Sequence, residues 1–210
     1  MTTPTLELEN EILARHGFVF IAGLDEAGRG ALAGPVTAAA VILPLDDSQL
    51  LDSLAGVNDS KQLTAKTREH LFSRIMHHAL AYGIASVPAA IIDKIGILPA
   101  TKQAMVTAVS QLIPAAQYLL IDGRIRLKTL ATPQQAIIRG DGKSLTIAAA
   151  SILAKVTRDR LMIELDEQYP QYGFARHKGY GTAYHLAALE QYGPCPLHRH
   201  SFAPIKRPLL

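Results

Sequence analysis

Apolar and polar positions fall into blocks along this chain, and the period changes from block to block. Positions 18–24 form an apolar run bounded by Gly17 and an acidic pair. A run of this length with β-branched and aromatic members predicts a buried strand. A second run, 36–43, closes at Pro44, and the Gly-rich connection lets the two pair. Over 64–81 the period becomes helical. Leu71, Ile75, Met76 and Leu80 recur on one face, and Thr64 stands where a helix is capped. A short strand follows at 82–87, then a helical stretch from Pro88 that breaks around Gly96. A further helix is predicted over 99–112, ended by Pro114. Brief β runs at 118–121 and 136–138 stop at Asp122-Gly123 and at Gly140-Asp141-Gly142. The longest predicted helix covers 145–169, with Ala148, Ile152, Leu153, Val156, Ile163 and Leu165 for the core and Pro170 as its stop. Thr182 caps a last helix that ends at Gly193-Pro194. A short helix fits 1–17, with Leu6, Ile12 and Leu13 as its apolar residues, and 45–58 reads as an acidic loop. Strands alternating with helices predict an α/β sheet covered by helices.

Composition narrows the picture. At 210 residues, 49% of them hydrophobic, the chain suits one substantial domain with a packed core. There is no internal repeat and no linker-like stretch. A net charge of +3 permits nucleic-acid binding without demanding it. The single cysteine, Cys195, excludes an internal disulfide framework and a Cys-rich zinc site. The first ten residues carry Glu7 and Glu9 and lack the order of a signal peptide. Apolar runs are interrupted well before membrane-spanning length. A cytoplasmic, monomeric protein with no membrane contact is expected.

The chemistry concentrates where apolar runs end. Asp25 and Glu26 follow the first run, and Gly28-Arg29-Gly30 comes next. Adjacent buried acids repel, and a divalent cation removes that penalty. An arginine between glycines suits close contact with a phosphate or sugar. Asp122 and Asp141 close two later runs beside glycine. Taken singly, an Asp next to Gly is more often a turn former. Ligand sites collect at strand ends in open α/β sheets, however. Four converging carboxylates would suit Mg²⁺ or Mn²⁺, and two such ions can hydrolyse a phosphodiester.

These residues lie in a series of motifs. They are Asp25 to Gly30 (DEAGRG), Asn58 to Lys61 (NDSK), Leu120 to Gly123 (LIDG), Gly140 to Ser144 (GDGKS), Ala148 to Asp159, and Tyr172 through Thr182. In this order they resemble the bacterial type 2 ribonucleases H, ribonuclease HII, from about residue 18 to 206. The resemblance implies a ribonuclease H-like fold, a mixed sheet flanked by helices, with a C-terminal helical extension over 170–210. It implies endonucleolytic cleavage of the RNA strand of RNA/DNA hybrids and incision 5′ of single ribonucleotides in duplex DNA. The implied products are a 3′-hydroxyl and a 5′-phosphate. Asp25, Glu26, Asp122 and Asp141 take the metal-binding catalytic positions. Gly28, Arg29 and Gly30 read the ribose, and Tyr180 contacts the 2′-hydroxyl and stacks on the neighbouring deoxyribose. Asn58, Ser60, Lys61, Lys143 and Ser144 look like phosphate contacts, which as residue types alone would be an ordinary polar loop.

Other residues are read more plainly. His177, His185, His198 and His200 are surface or structural in the main, with a supporting place near substrate open to His177. His198-x-His200 is poor evidence for zinc. Lys155, Arg158 and Arg160 form the solvated face of the long helix. Ala31, Gly96 and Gly142 depart from the usual proline, asparagine and serine of the resembled family. The chain carries no extra N-terminal domain of the ribonuclease HIII kind, and its C-terminus shows no obvious clamp-binding peptide. Two rivals stand beside this reading: another nuclease specificity on the same fold, and a silent nucleic-acid-binding module.

Overall fold

The computed structural model describes residues 3–205. The C-terminal residues bearing on a clamp-binding peptide, and the first two residues of the predicted N-terminal helix, lie outside that range. Five strands form one mixed sheet: β1 (Ile21–Ala27), β2 (Val36–Ile42), β3 (Ala81–Val87), β4 (Tyr118–Asp122) and β5 (Gln134–Ile137). Their order is β3-β2-β1-β4-β5, with β1 antiparallel to β2 and parallel to β4. Helices α1 (Glu7–His16), α2 (Leu50–Ser53), α3 (Ala65–His78), α4 (Ala89–Ile95), α5 (Ile97–Ser110), α6 (Leu145–Gln168), α7 (Phe174–His177) and α8 (Ala183–Tyr192) complete the chain. None of the described helices is long and apolar enough to cross a membrane.

The sheet is packed on both faces. Ala22, Leu24, Ala38, Ala40 and Ile42 meet α4 and α5, whereas Ala27, Ala39 and Val41 meet α3 and α6. Neighbouring strand residues point to opposite faces, so small side chains on both sides let helices lie close. Two glycines take this furthest. A Cβ on Gly23 would overlap the backbone of Thr146 and Ile147 in α6, and one on Gly83 would overlap the carbonyl of Ala108 in α5.

Predicted helix ends are largely met. Thr64, Ser144 and Thr182 each accept an amide of the first turn, at Thr67, Ile147 and His185. Gly96 separates α4 from α5 at φ 86°, a left-handed backbone that a β-carbon disfavours. Several readings need correction. The first strand begins and ends three residues later than predicted, so Asp25 and Glu26 lie within it rather than in a turn. Leu80 and Ile163 are exposed, the acidic loop contains α2, and α7 was not foreseen. The C-terminal segment has a cluster of its own, in which Tyr172, Phe174, Ala188 and Leu189 pack with Leu32, Ala33 and Met162.

Candidate active site

Asp25 and Glu26 occupy alternate faces of β1, yet both reach one cleft because the neighbouring strand stops beside them. The parallel register ends at Leu24 opposite Ile121, so Asp122, the last residue of β4, comes alongside Asp25. Asp141 arrives from the 3₁₀ turn Gly140–Gly142. That turn is tied to β4 by the Gly140 amide, which donates to Asp122 Oδ1 at 2.7 Å. The cleft is lined by Asp25, Glu26, Gly28, Arg29, Gly30, Ser60, Lys61, Asp122, Lys155 and Tyr180. It continues past Lys61 to Asp59, Arg139, Asp141 and Lys143. In the other direction it runs past Lys155 and Tyr180 to Arg68, Arg160, Arg176 and Lys178.

The acids strain against one another. Burial, then the charges of Glu26 and Asp122, pushes the Asp25 carboxyl well above the usual carboxylate range. Burial also raises Glu26, against the pull of Arg29, whose Nη1 lies 3.1 Å from Oε1. Burial, Asp59 and Asp122 raise Asp141. Lys61 answers them. Burial disfavours its charge, but Asp25, Asp59, Asp141 and Asp122 together outweigh that and raise its pKa. Its ammonium lies 3.6 Å from Asp141 Oδ2 and 3.8 Å from Asp59 Oδ1. Ion pairs this long on an exposed lysine add little stability. The ammonium instead acts as a loosely held cation over the acids.

The donor set fits a hard divalent cation. Every nearby acid offers oxygen, and Glu26 Oε2 is buried with no hydrogen-bond partner among the described residues. The acids are not yet gathered. Among the described residues no three His, Cys, Asp or Glu converge closely enough to grip an ion. Their oxygens are turned to other donors, Asp25 Oδ1 to the Glu26 amide at 2.7 Å and Asp122 Oδ1 to Gly140.

Not every expected contact reaches the cleft. Ser144 is fully buried, donates its hydroxyl to Glu9 and accepts the Ile147 amide, so it caps α6 and cannot touch a phosphate. Asn58 Oδ1 accepts the next amide, Asp59. Ser60 does line the cleft, but it is largely buried and its hydroxyl oxygen accepts from Ser151. Arg158, expected on a solvated face, is fully buried, while Arg160 is exposed and paired with Glu69. Residue types alone did not single out Asp59, Arg68 or Arg139 as cleft residues. Asp59 is nonetheless legible, since it sits inside the Asn58 to Lys61 motif. The alanine at 31 has a local use, because its amide donates to Gly28 O at 3.3 Å and a proline has no such donor.

His177, His185 and His198 are structural, whereas His200 is exposed. Cys195 N–H donates to His198 Nδ1, so His198 carries its proton on Nε2. That proton faces His185 Nε2 at 3.0 Å, and His185 Nδ1–H donates to Tyr180 O at 3.0 Å. His177 takes the Gly179 amide on Nδ1 and donates Nε2–H to Tyr172 O. Each ring is therefore neutral with one fixed tautomer. Burial pushes His185 and His198 down to about 4. An unfolded histidine titrates at roughly 6.5. Their contribution is thus complete above that pH and is lost as pH falls toward 4, where the unfolded chain takes protons first. Asp25, Glu26 and Asp141, raised in the fold, work in the opposite sense. Thermal melts from pH 7 to 4.5 should show a shallower acid decline in His185→Asn than in wild type. Parallel curves would mean the pair does not govern that limb.

Comparison with known proteins agrees with this geometry. The family model described as ribonuclease HII matches residues 22–205. Ribonuclease HII of Chloroflexus aurantiacus is 55% identical over 207 residues, covering 99% of this chain and 97% of the relative. The ribonuclease H2 of Pyrococcus horikoshii superposes with a TM-score of 0.73 at 28% identity, over 89% of this chain and 95% of that one. The ribonuclease HII of Archaeoglobus fulgidus, solved in a PCNA complex, gives 0.74 at 26% identity, over 87% and 95%. The mixed sheet, the cleft at the ends of β1 and β4 and these likenesses lead to one conclusion: the chain belongs to the ribonuclease HII family, nucleases that cleave the RNA strand of RNA/DNA hybrids.

Proposed function

We propose that the protein incises duplex DNA on the 5′ side of single embedded ribonucleotides, as well as cutting continuous RNA/DNA hybrids, and so serves removal of ribonucleotides from DNA in the cytoplasm. The observation that carries the hydrolytic part is the meeting of Asp25, Glu26 and Asp122 in one cleft, with Asp141 in its continuation beside Asp122. Asp25, Glu26, Asp122 and Asp141 would hold two Mg²⁺ or Mn²⁺ ions. The chemistry these supply when bound is Lewis-acid activation of water and neutralisation of phosphate charge. The expected products are a 3′-hydroxyl and a 5′-phosphate. Lys61, Arg29 and Lys143 line the cleft and bring positive charge to the backbone phosphates. A metal-free route through a histidine pair finds no support, because His177, His185 and His198 are buried and their ring nitrogens are engaged.

Recognition of the ribose falls to Gly28-Arg29-Gly30 and Tyr180. The 2′-hydroxyl both donates and accepts, and is what separates RNA from DNA at one nucleotide. Arg29 and Gly30 are exposed in the cleft. The Tyr180 ring stands over the guanidinium of Arg158 at 5.4 Å and within 5.8 Å of Lys155 Nζ. Tyr180→Ala should lower incision at a lone ribonucleotide by about ten-fold or more, since a base or sugar stacked on an aromatic ring is worth roughly 1–3 kcal/mol. An unchanged rate would make Tyr180 a packing residue.

The test of the whole reading is a denaturing gel. Duplex DNA with one ribonucleotide is incubated with Mg²⁺, Mn²⁺ or EDTA and the cut is mapped. Metal-dependent incision 5′ of the ribonucleotide is expected. Cleavage of a continuous hybrid with none at the lone ribonucleotide would keep the nuclease and discard the junction specificity. Tight duplex binding without any cleavage would return the binding-module reading.

A further inference from the structure

Two arginines lie beneath the ribose-reading loops without any carboxylate to pair with. Arg158 and Arg199 are both fully buried. Neither makes an ion pair among the described residues. All their described hydrogen bonds go to main-chain carbonyls. Arg158 donates from Nε to Pro35 O at 2.8 Å, from Nη2 to Ala33 O at 3.0 Å and from Nη1 to Lys178 O at 2.9 Å. Arg199 donates from Nε and Nη2 to Gly34 O, and from Nη1 to Arg29 O at 2.9 Å. Arg158 thus ties the 33–35 stretch to the turn that carries Tyr180. Arg199 ties the start of the 29–34 stretch to its end.

Burying an unpaired charge is costly, and a well-packed apolar side chain would often serve stability as well or better. What a guanidinium adds is a rigid fork that fixes several acceptors at once. Here the acceptors belong to two loops that also touch directly. The Leu32 and Ala33 amides both donate to Gly179 O, and the Arg199 amide donates to Leu32 O. The approach is so close that a Cβ on Gly28 would overlap the Arg158 side chain and one on Gly179 would overlap Ala33 O.

The direction of one peptide gives this clasp its meaning. In a trans peptide the C=O and the following N–H point opposite ways. Arg199 draws the Arg29 carbonyl inward, which turns the Gly30 N–H outward. Among the described residues that amide has no acceptor.

We infer that Arg158 and Arg199 are positioning residues for the ribonucleotide junction, holding the Gly30 amide and the Tyr180 ring toward the 2′-hydroxyl. The inference rests on the ribose reading proposed above. A continuous hybrid offers a ribose at every step, so it tolerates a loosened loop better than a lone ribonucleotide does.

The experiment compares kcat/KM on duplex DNA with one ribonucleotide and on a uniform RNA/DNA hybrid, with a thermal melt for each variant. Arg199→Lys keeps the charge but loses the planar fork that holds the Arg29 and Gly34 carbonyls at once. It should lose about 30-fold on the lone ribonucleotide and only about three-fold on the hybrid, given that small misplacements cost up to about a hundred-fold. Arg158→Lys repeats the test from the other loop. Equal losses on both substrates, no loss on either, or failure of both variants to fold would make the pair structural and overturn the inference. Tyr180→Ala, run alongside, separates the two failures. If it too spares the lone ribonucleotide, the ribose reading itself is wrong; if it alone is impaired, only the positioning role is.

Discussion

Replacing Asp122 by Asn is expected to reduce cleavage about a thousand-fold or more, on the scale of losing a preorganised electrostatic group at the reacting centre, while the chain still folds. The reason for the separation is local. Asn keeps a carbonyl oxygen that can accept the Gly140 amide, now bonded to Asp122 Oδ1 at 2.7 Å. The link between β4 and the turn carrying Asp141 therefore survives. What disappears is a negative charge beside Asp25, where Asp122 is one of the causes holding the Asp25 carboxyl up. The proposed cation site loses one of its four acids, and the others lose a repelling neighbour. Without divalent metal the variant should consequently melt at or above the wild-type temperature. Added Mg²⁺ or Mn²⁺ should raise its melting temperature less than it raises that of the wild type. Turnover on a continuous RNA/DNA hybrid checks the first half, and melting curves check the second. Wild-type turnover would remove Asp122 from the catalytic set.

The largest effect on stability is expected from Gly23→Ala, a single methyl group. Gly23 lies on β1 on the same face as Asp25, two residues away, and that face meets α6. The added carbon would overlap the Thr146 carbonyl group and the Ile147 nitrogen. Backbone cannot swing aside as a side-chain tip can. The first turn of α6 is also held from behind, since Glu9 accepts the Ser144 hydroxyl and both the amide and hydroxyl of Thr146. Overpacking a rigid site of this kind costs about 3 kcal/mol, near the upper end of what single methyl insertions do. Urea denaturation would read it directly. A midpoint unchanged from wild type would mean that α6 does not rest on β1 at Gly23. Activity should fall along with stability, because the strand that must shift is the one carrying Asp25 and Glu26.

The acids that line the cleft are legible in the sequence, and the residues that support them are not, for physical reasons. Asp25, Glu26, Asp122 and Asp141 were legible because carboxylates at the ends of apolar runs are conspicuous. Their setting was less so. A polar pair reads as a turn, yet β1 carries it as strand because β2 goes on pairing through Ala27 after β4 has stopped. Ser144 drew attention as a phosphate contact although it immediately precedes a predicted helix, the position of an N-cap. That signal was present and was outweighed by the motif around it. Arg158 could not be placed from its own helix, since the carbonyls that receive it come from residues 33–35 and 178. Glu9 reads only as an N-terminal charge, and Arg199 is not singled out, for the same reason. A charged residue is recognisable as buried only once its distant acceptors are known.

The contact between Arg199 and the loop it holds also has a bearing on how the protein is made. The hydrogen-bonded partners are 165 and 170 residues apart in the chain. Synthesis proceeds from the N-terminus, so Gly28-Arg29-Gly30 is finished long before its clasp exists. Asp25 and Glu26 likewise wait for Asp122 and Asp141. Until residue 199 has been added and folded back, a growing chain has the acids and the glycines but not the loop geometry proposed above to read ribose. On that proposal selectivity is acquired late, together with the C-terminal segment.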